Sequence, residues 1–133
     1  MEYPFIKMCI IYKKMNSNLE ALSDLQKILV SFFDELIDMF GQEGDFFALR
    51  IMIKDQIPIT TIQKLFVNGL LPEKELIANR NKVFLDRNVL FSQMGEEKSN
   101  NFKRLFLGLD SDDQEMIWKW LDAFVILTEK SIK

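Results

Sequence analysis

The sequence predicts an all-α protein: a single compact bundle of five or six helices, preceded by a short non-helical N-terminal arm. Three observations carry this. Apolar residues recur at steps of three and four over two long stretches, Gly and Pro are scarce at 5 and 3, and large apolar side chains are abundant, with 12 Phe and 7 Met in 133 residues. Few breakers and a 3.6-residue period favour long helices over a turn-rich β fold. A chain of this length fits one domain that buries a core without staples. At 48% hydrophobic and 28% charged it has a globular balance rather than a disordered one.

Residues 1–14 read as an arm or a short strand, apolar but interrupted by Lys7 and closed by Lys13 and Lys14. The helical domain is expected over 15–133. Ser17 and Glu20 have the spacing of a capping box. Leu19, Leu22, Leu25, Leu29, Phe32, Leu36 and Met39 then predict an amphipathic helix over 18–40. Gly41 is placed to end it and Asp45 to cap the next. "FFALRIMIKDQ" is apolar nearly all round, which predicts a central, buried helix; β-branched Ile51 and Ile53 leave a strand as the lesser alternative.

"QIPITTIQKLFVNGLLP" predicts a third helix, with Pro58 near its first turn, Ile62, Leu65 and Phe66 inward, and Gly69 at its end. Pro72 opens a fourth, with Glu73 and Glu75 in its first turn and Leu76, Ile77, Val83 and Phe84 inward. "RNVLF" reads as a turn or a short helical piece, and "SNNFKRLFLGL" as a modest helix ending near Gly108. Over 112–130 a second long helix is expected, with Ile117, Trp120, Leu121, Phe124, Leu127 and Ile132 on its apolar side. Ser111 and Gln114 have capping-box spacing there.

Several kinds of chemistry are disfavoured. A net charge of −3 and a pI near 5.0 argue against sequence-independent nucleic-acid binding, which needs excess Lys and Arg. No His is present, so the commonest general base and metal ligand is missing. Cys9 is the only cysteine, which fits a reducing compartment. The apolar N-terminal run lacks a cleavage pattern, and no stretch reaches the roughly 20 apolar residues that span a bilayer. A cytoplasmic protein is expected, without membrane attachment, cofactor, metal or enzymatic activity.

Asp110, Asp112, Asp113 and Glu115 invite a metal-site reading. A calcium loop needs a central Gly and a terminal Glu; here the Gly is missing and the terminal position is Leu121. Acids at the positive end of a helix dipole explain the cluster.

The candidate partner-binding residues are Arg50, Lys54, Arg80, Lys82, Arg87 and Trp118. Arg50 and Lys54, four apart, are expected to pair with Asp34, Glu35 or Asp38 across a helical hairpin. The rival is a basic groove with Arg80, Lys82 and Arg87, extended by Lys103 and Arg104. Trp118 and Trp120 cannot both point inward; Trp120 is assigned to the core and Trp118 nearer the exposed side, where it either packs over a neighbouring loop, the favoured reading, or anchors an interface. Phe40 with Gly44-Asp45 outlines the core of the death-motif helix of apoptosis regulators, though across an expected helix break.

"FFDELIDMF", "EGDFFALRIMIKDQIP", "LLPEKELIANR", "NVLF" and "IWKWLDAFVILTEK" resemble, in the same order, segments of a family of small uncharacterised helical proteins of nucleocytoplasmic large DNA viruses. The resemblance covers roughly residues 15–130. Those relatives begin near the position of Met15, and they carry proline where this chain has Gly41. It implies a viral, host-cell setting and transfers no catalytic residue.

The expected function is a non-enzymatic helical interaction or adaptor protein whose partner is another protein or a second copy of the chain. The alternative is an accessory nucleic-acid-binding or transcription-associated factor. A third reading is a host cell-death suppressor with a helix-binding groove.

Overall fold

The computed structural model describes the backbone of residues 3–41, 43–87 and 96–133, and side chains over 18–41, 43–87 and 100–133. Six α-helices are found there: α1 (Tyr3–Met39), α2 (Gly44–Ile51), α3 (Ile59–Gly69), α4 (Lys74–Ala78), α5 (Glu96–Leu107) and α6 (Ser111–Ser131). A π turn, Met52–Gln56, continues α2, and 3₁₀ turns at Leu71–Glu73 and Lys82–Arg87 flank α4. No strand occurs among the described residues, so the chain is all-α and "FFALRIMIKDQ" is helical. Residues 88–91 of "RNVLF" lie outside the described residues. No described helix is long and apolar enough to cross a membrane.

The described backbone of α1 runs from Tyr3 to Met39. Pro4 is the only breaker in that stretch, and it falls in the first turn, where a missing N–H costs no hydrogen bond.

The core is built on α1 lying along α6. Leu25, Phe32 and Leu36 of α1 and Ile117, Leu121 and Phe124 of α6 are fully buried, at the three-and-four spacing that one helix face requires. Phe32 sits edge-on to Phe124, with ring centroids 5.3 Å apart, and Phe66 of α3 closes on Phe124 at 5.7 Å. Each such buried side chain contributes about 1.5–3 kcal/mol relative to exposure. Phe46 and Leu49 join from α2, Ile53 from the π turn, Ile62 from α3, Ile77 from α4, and Phe102 and Phe106 from α5.

Four residues expected inward are exposed: Leu19, Leu65, Val83 and Ile132. Leu19 and Leu65 lie on the flanks of their stripes, and Ile132 lies past the last turn of α6. A hydrophobic stripe is buried only as far as a neighbour covers it.

The helix ends also shift by a residue. Asp110, not Ser111, caps α6: its Oδ1 accepts a hydrogen bond from the Asp113 N–H at 2.8 Å. The Gln114 amide donates instead to the Phe106 and Leu109 carbonyls at 3.0 and 3.2 Å, tying α5 to α6. Glu43 is the N-cap of α2 and makes no side-chain capping bond, while Asp45 falls inside the first turn.

Two polar locks hold the bundle. Buried Thr128 and Ser131 donate to the carbonyls of Phe124 and Thr128, both at 2.7 Å. Gln63 of α3 donates to the Ser131 hydroxyl and carbonyl at 3.0 and 3.2 Å. Gln26 of α1 donates to the Ile53 carbonyl at 3.1 Å, satisfying a backbone group within the π turn.

Candidate protein interaction surface

α2 and its π turn present two unlike faces. Positions 46, 49 and 53 point at the core, the opposite side carries Phe47 and Ile51, 51% and 49% exposed, and Met52, 36% exposed, lies at the edge between the two faces. This corrects the expectation of a central, buried helix. A helix that is apolar all round is buried only where neighbours surround it, and α2 packs chiefly on α1. Three of the nine exposed large apolar residues described fall within residues 47–52, two in α2 and one opening the π turn; the other six are spread over the rest of the described chain. Scattered exposed apolar residues are ordinary, whereas a contiguous row marks a surface of interest.

The charges around α2 are also distinctive. Arg50 Nε donates to Asp34 Oδ1 at 2.5 Å, the cross-hairpin ion pair expected from the sequence. Lys54 is exposed in the π turn, as is Asp55 beside it.

The other basic candidates do not converge with these. Arg80 Nε donates to Glu115 Oε1 at 2.8 Å, while its two terminal nitrogens take both oxygens of Asp122, at 3.0 and 2.8 Å. Nη1, the terminal nitrogen on Asp122 Oδ1, also donates to the Ile77 carbonyl at 3.0 Å. The hydrogen bond to Asp122 does most to hold the guanidinium pKa above the ordinary arginine value; burial opposes it, and Glu115 adds to it. Arg87 stands 3.6 Å from Glu73, Lys103 pairs with Asp86, and Lys82 is exposed. Arg50 is thus bound to α1 and Arg80 to α6, so these two arginines serve different helix contacts.

Trp118 packs over a neighbouring turn, as one of its two readings expected, and its reading as an exposed partner-binding residue is corrected. It is only 3% exposed, packed between Phe84 and Phe106 at centroid distances of 6.1 and 5.5 Å, whereas Trp120 is half-buried against Phe32. The buried face of α6 centres on Ile117, Leu121, Phe124 and Thr128, and the two tryptophans flank it on opposite sides at similar angles. α5 and the Lys82–Arg87 turn cover one flank and α1 part of the other. Trp118 therefore belongs to the core and not to an exposed anchor.

The acidic cluster dissolves into separate tasks, with Asp110 as cap and Glu115 on Arg80. Among the described residues no group of three or more metal-ligating side chains is placed to hold an ion. Phe40 lies before the helix break, 6.0 Å from the Phe46 ring, and Gly44-Asp45 opens α2. A Cβ on Gly44 would meet nothing within 4 Å, so no close helix approach calls for glycine there.

A shallow groove of about 450 Å³ runs between α4 and α6 over Ile77, Ala78, Val125 and Ile126, edged by Glu75 and Asp122. Asp122 is held from one side by Arg80.

The exposed apolar row on α2 carried no distinct signal in the sequence, because Phe46 and Phe47, or Ile51 and Ile53, are equally apolar. No known family matches the chain, and neither does any curated protein or solved structure.

Proposed function

We propose that the protein is a non-enzymatic interaction module that engages another protein through the outer face of α2. One observation carries this reading: Phe47 and Ile51, one turn apart on α2, are exposed large apolar residues, with Met52 of the π turn on their flank, while the opposite side of the helix is locked into the core. A rigid helix face with large apolar residues at positions four apart is what helix-mediated recognition uses. Arg50, Arg80, Glu115 and Asp122 are engaged in contacts between helices, which accords with a structural use of these charges. The resemblance to proteins of nucleocytoplasmic large DNA viruses would place such a partner in an infected host cell.

A photo-crosslinking residue at position 47, with the same residue at exposed Lys119 on α6 as control, tests it in the producing cell. A discrete adduct from position 47 and none from 119 is expected. No adduct from 47, or identical adducts from both positions, overturns the proposal.

A further inference from the structure

Charge identifies what kind of partner the α2 face accepts, given that it is the interaction surface. Between residues 34 and 55 the chain carries six acidic side chains (Asp34, Glu35, Asp38, Glu43, Asp45, Asp55) and two basic ones, Arg50 and Lys54. The local balance of −4 exceeds in magnitude the −3 of the whole chain. Of the acids, Asp34, Asp38 and Asp55 are exposed, on the outer side of α1 and in the turn that ends the apolar row. Asp34 reaches α2 directly through Arg50.

Exposed apolar residues over about one and a half helical turns, with exposed Asp38 and Asp55 and the Asp34–Arg50 pair beside them and Lys54 as the exposed base, disfavour anionic lipid headgroups and nucleic acid. The same charges also disfavour a second copy of the same face, because a two-fold contact would set the two negative regions against each other. Three side chains no more than about half exposed also fall well short of the roughly 800 Å² per partner that a standard protein interface buries. A single helix needs less.

We infer that the α2 face docks a basic amphipathic helix of a partner protein. Large apolar side chains of that helix, at positions three or four apart, lie over Phe47, Ile51 and Met52, and its Lys or Arg residues reach Asp38 and Asp55.

A leucine–lysine amphipathic peptide about five turns long, and a leucine–glutamate peptide with the same apolar face, are the probes, with affinity read by fluorescence anisotropy on the full chain. The lysine peptide is expected to bind at least about 10-fold more tightly than the glutamate peptide, with the margin shrinking as salt rises. Phe47→Ser with Ile51→Ser is expected to weaken it about 10-fold or more, and Asp38→Lys or Asp55→Lys several-fold, at an unchanged melting temperature. Exposed Phe47 and Ile51 leave the fold intact on replacement, so loss of binding is not loss of structure.

Three results overturn the inference: equal affinity for the two peptides, no binding of either, or lysine-peptide binding indifferent to the Phe47 and Ile51 changes. A solution mass of twice 15.7 kDa that the same two serines abolish also overturns it, by assigning the face to a second copy. A discrete adduct at position 47 without a lysine-peptide preference removes this partner class and leaves the interaction module standing. The preference without an adduct does the reverse.

Discussion

The corner around Arg80 and the corner around Arg50 use the same ingredients to opposite ends. At Arg80 one guanidinium bridges Glu115 and Asp122, and with them the end of α4 to α6; Trp118 is buried on the same helix between Phe84 and Phe106. At Arg50 a single ion pair joins α2 to α1, and the neighbouring large apolar residues Phe47, Ile51 and Met52 remain outside. Similar residue types do structural work where a second element closes over them, and are left for recognition where none does.

The largest expected difference is in core truncation. Trp118→Ala or Phe124→Ala should cost about 3–5 kcal/mol in urea unfolding, whereas Phe47→Ala should stay within about 0.5 kcal/mol. A small cost at Trp118 would erase the distinction between the two corners.

Arg80 offers a sharper intermediate test. It has φ 52°, in the left-handed region, just past α4, with the Asn81 N–H bonded back to the Leu76 carbonyl at 2.8 Å and its own N–H to the Ile77 carbonyl at 3.0 Å. Glycine is the usual residue at such a helix end, and a side chain there costs about 1 kcal/mol. Arg80→Ala keeps that cost and loses the clamp, so it should destabilise by about 1–3 kcal/mol; Arg80→Gly should lose about 1 kcal/mol less. The raised pKa sets the pH sign. The guanidinium contributes fully at and below the ordinary arginine range, and that contribution is lost only as pH climbs past it. The Arg80→Ala cost should therefore persist unchanged from neutral to mildly alkaline buffers.

The smallest effect is at Arg50. Arg50→Ala should cost at most about 1 kcal/mol, and 1 M salt should remove most of it, because Asp34 is half exposed. A cost at Arg50 as large as at Arg80 would show that both corners are structural.

Much of the architecture was legible because it follows from periodicity. Leu25, Leu29, Phe32 and Leu36 repeat at four, three and four, which suits one helix face, and the core of α1 is built on them. The Arg50–Asp34 pair was legible from the expected hairpin. Trp118 and Trp120 were not separable, since both lie on the edge of the same stripe and only the packing of α5 and the Lys82–Arg87 turn distinguishes them. The Gln63–Ser131 lock spans 68 residues of chain and has no local signature. Nor did "ANRN" announce a left-handed arginine, because the strain is accepted for partners 35 and 42 residues away.

The sequence by itself determined the helical class, the inner faces of α1 and α6, and the excess of acid over base between residues 34 and 55, because each depends on residue type and spacing along one stretch of chain. Which apolar residues stayed outside, and which arginine became a clamp, only the tertiary structure decided. Burial and charge pairing depend on what another part of the chain brings within a few ångströms, and no local pattern contains that.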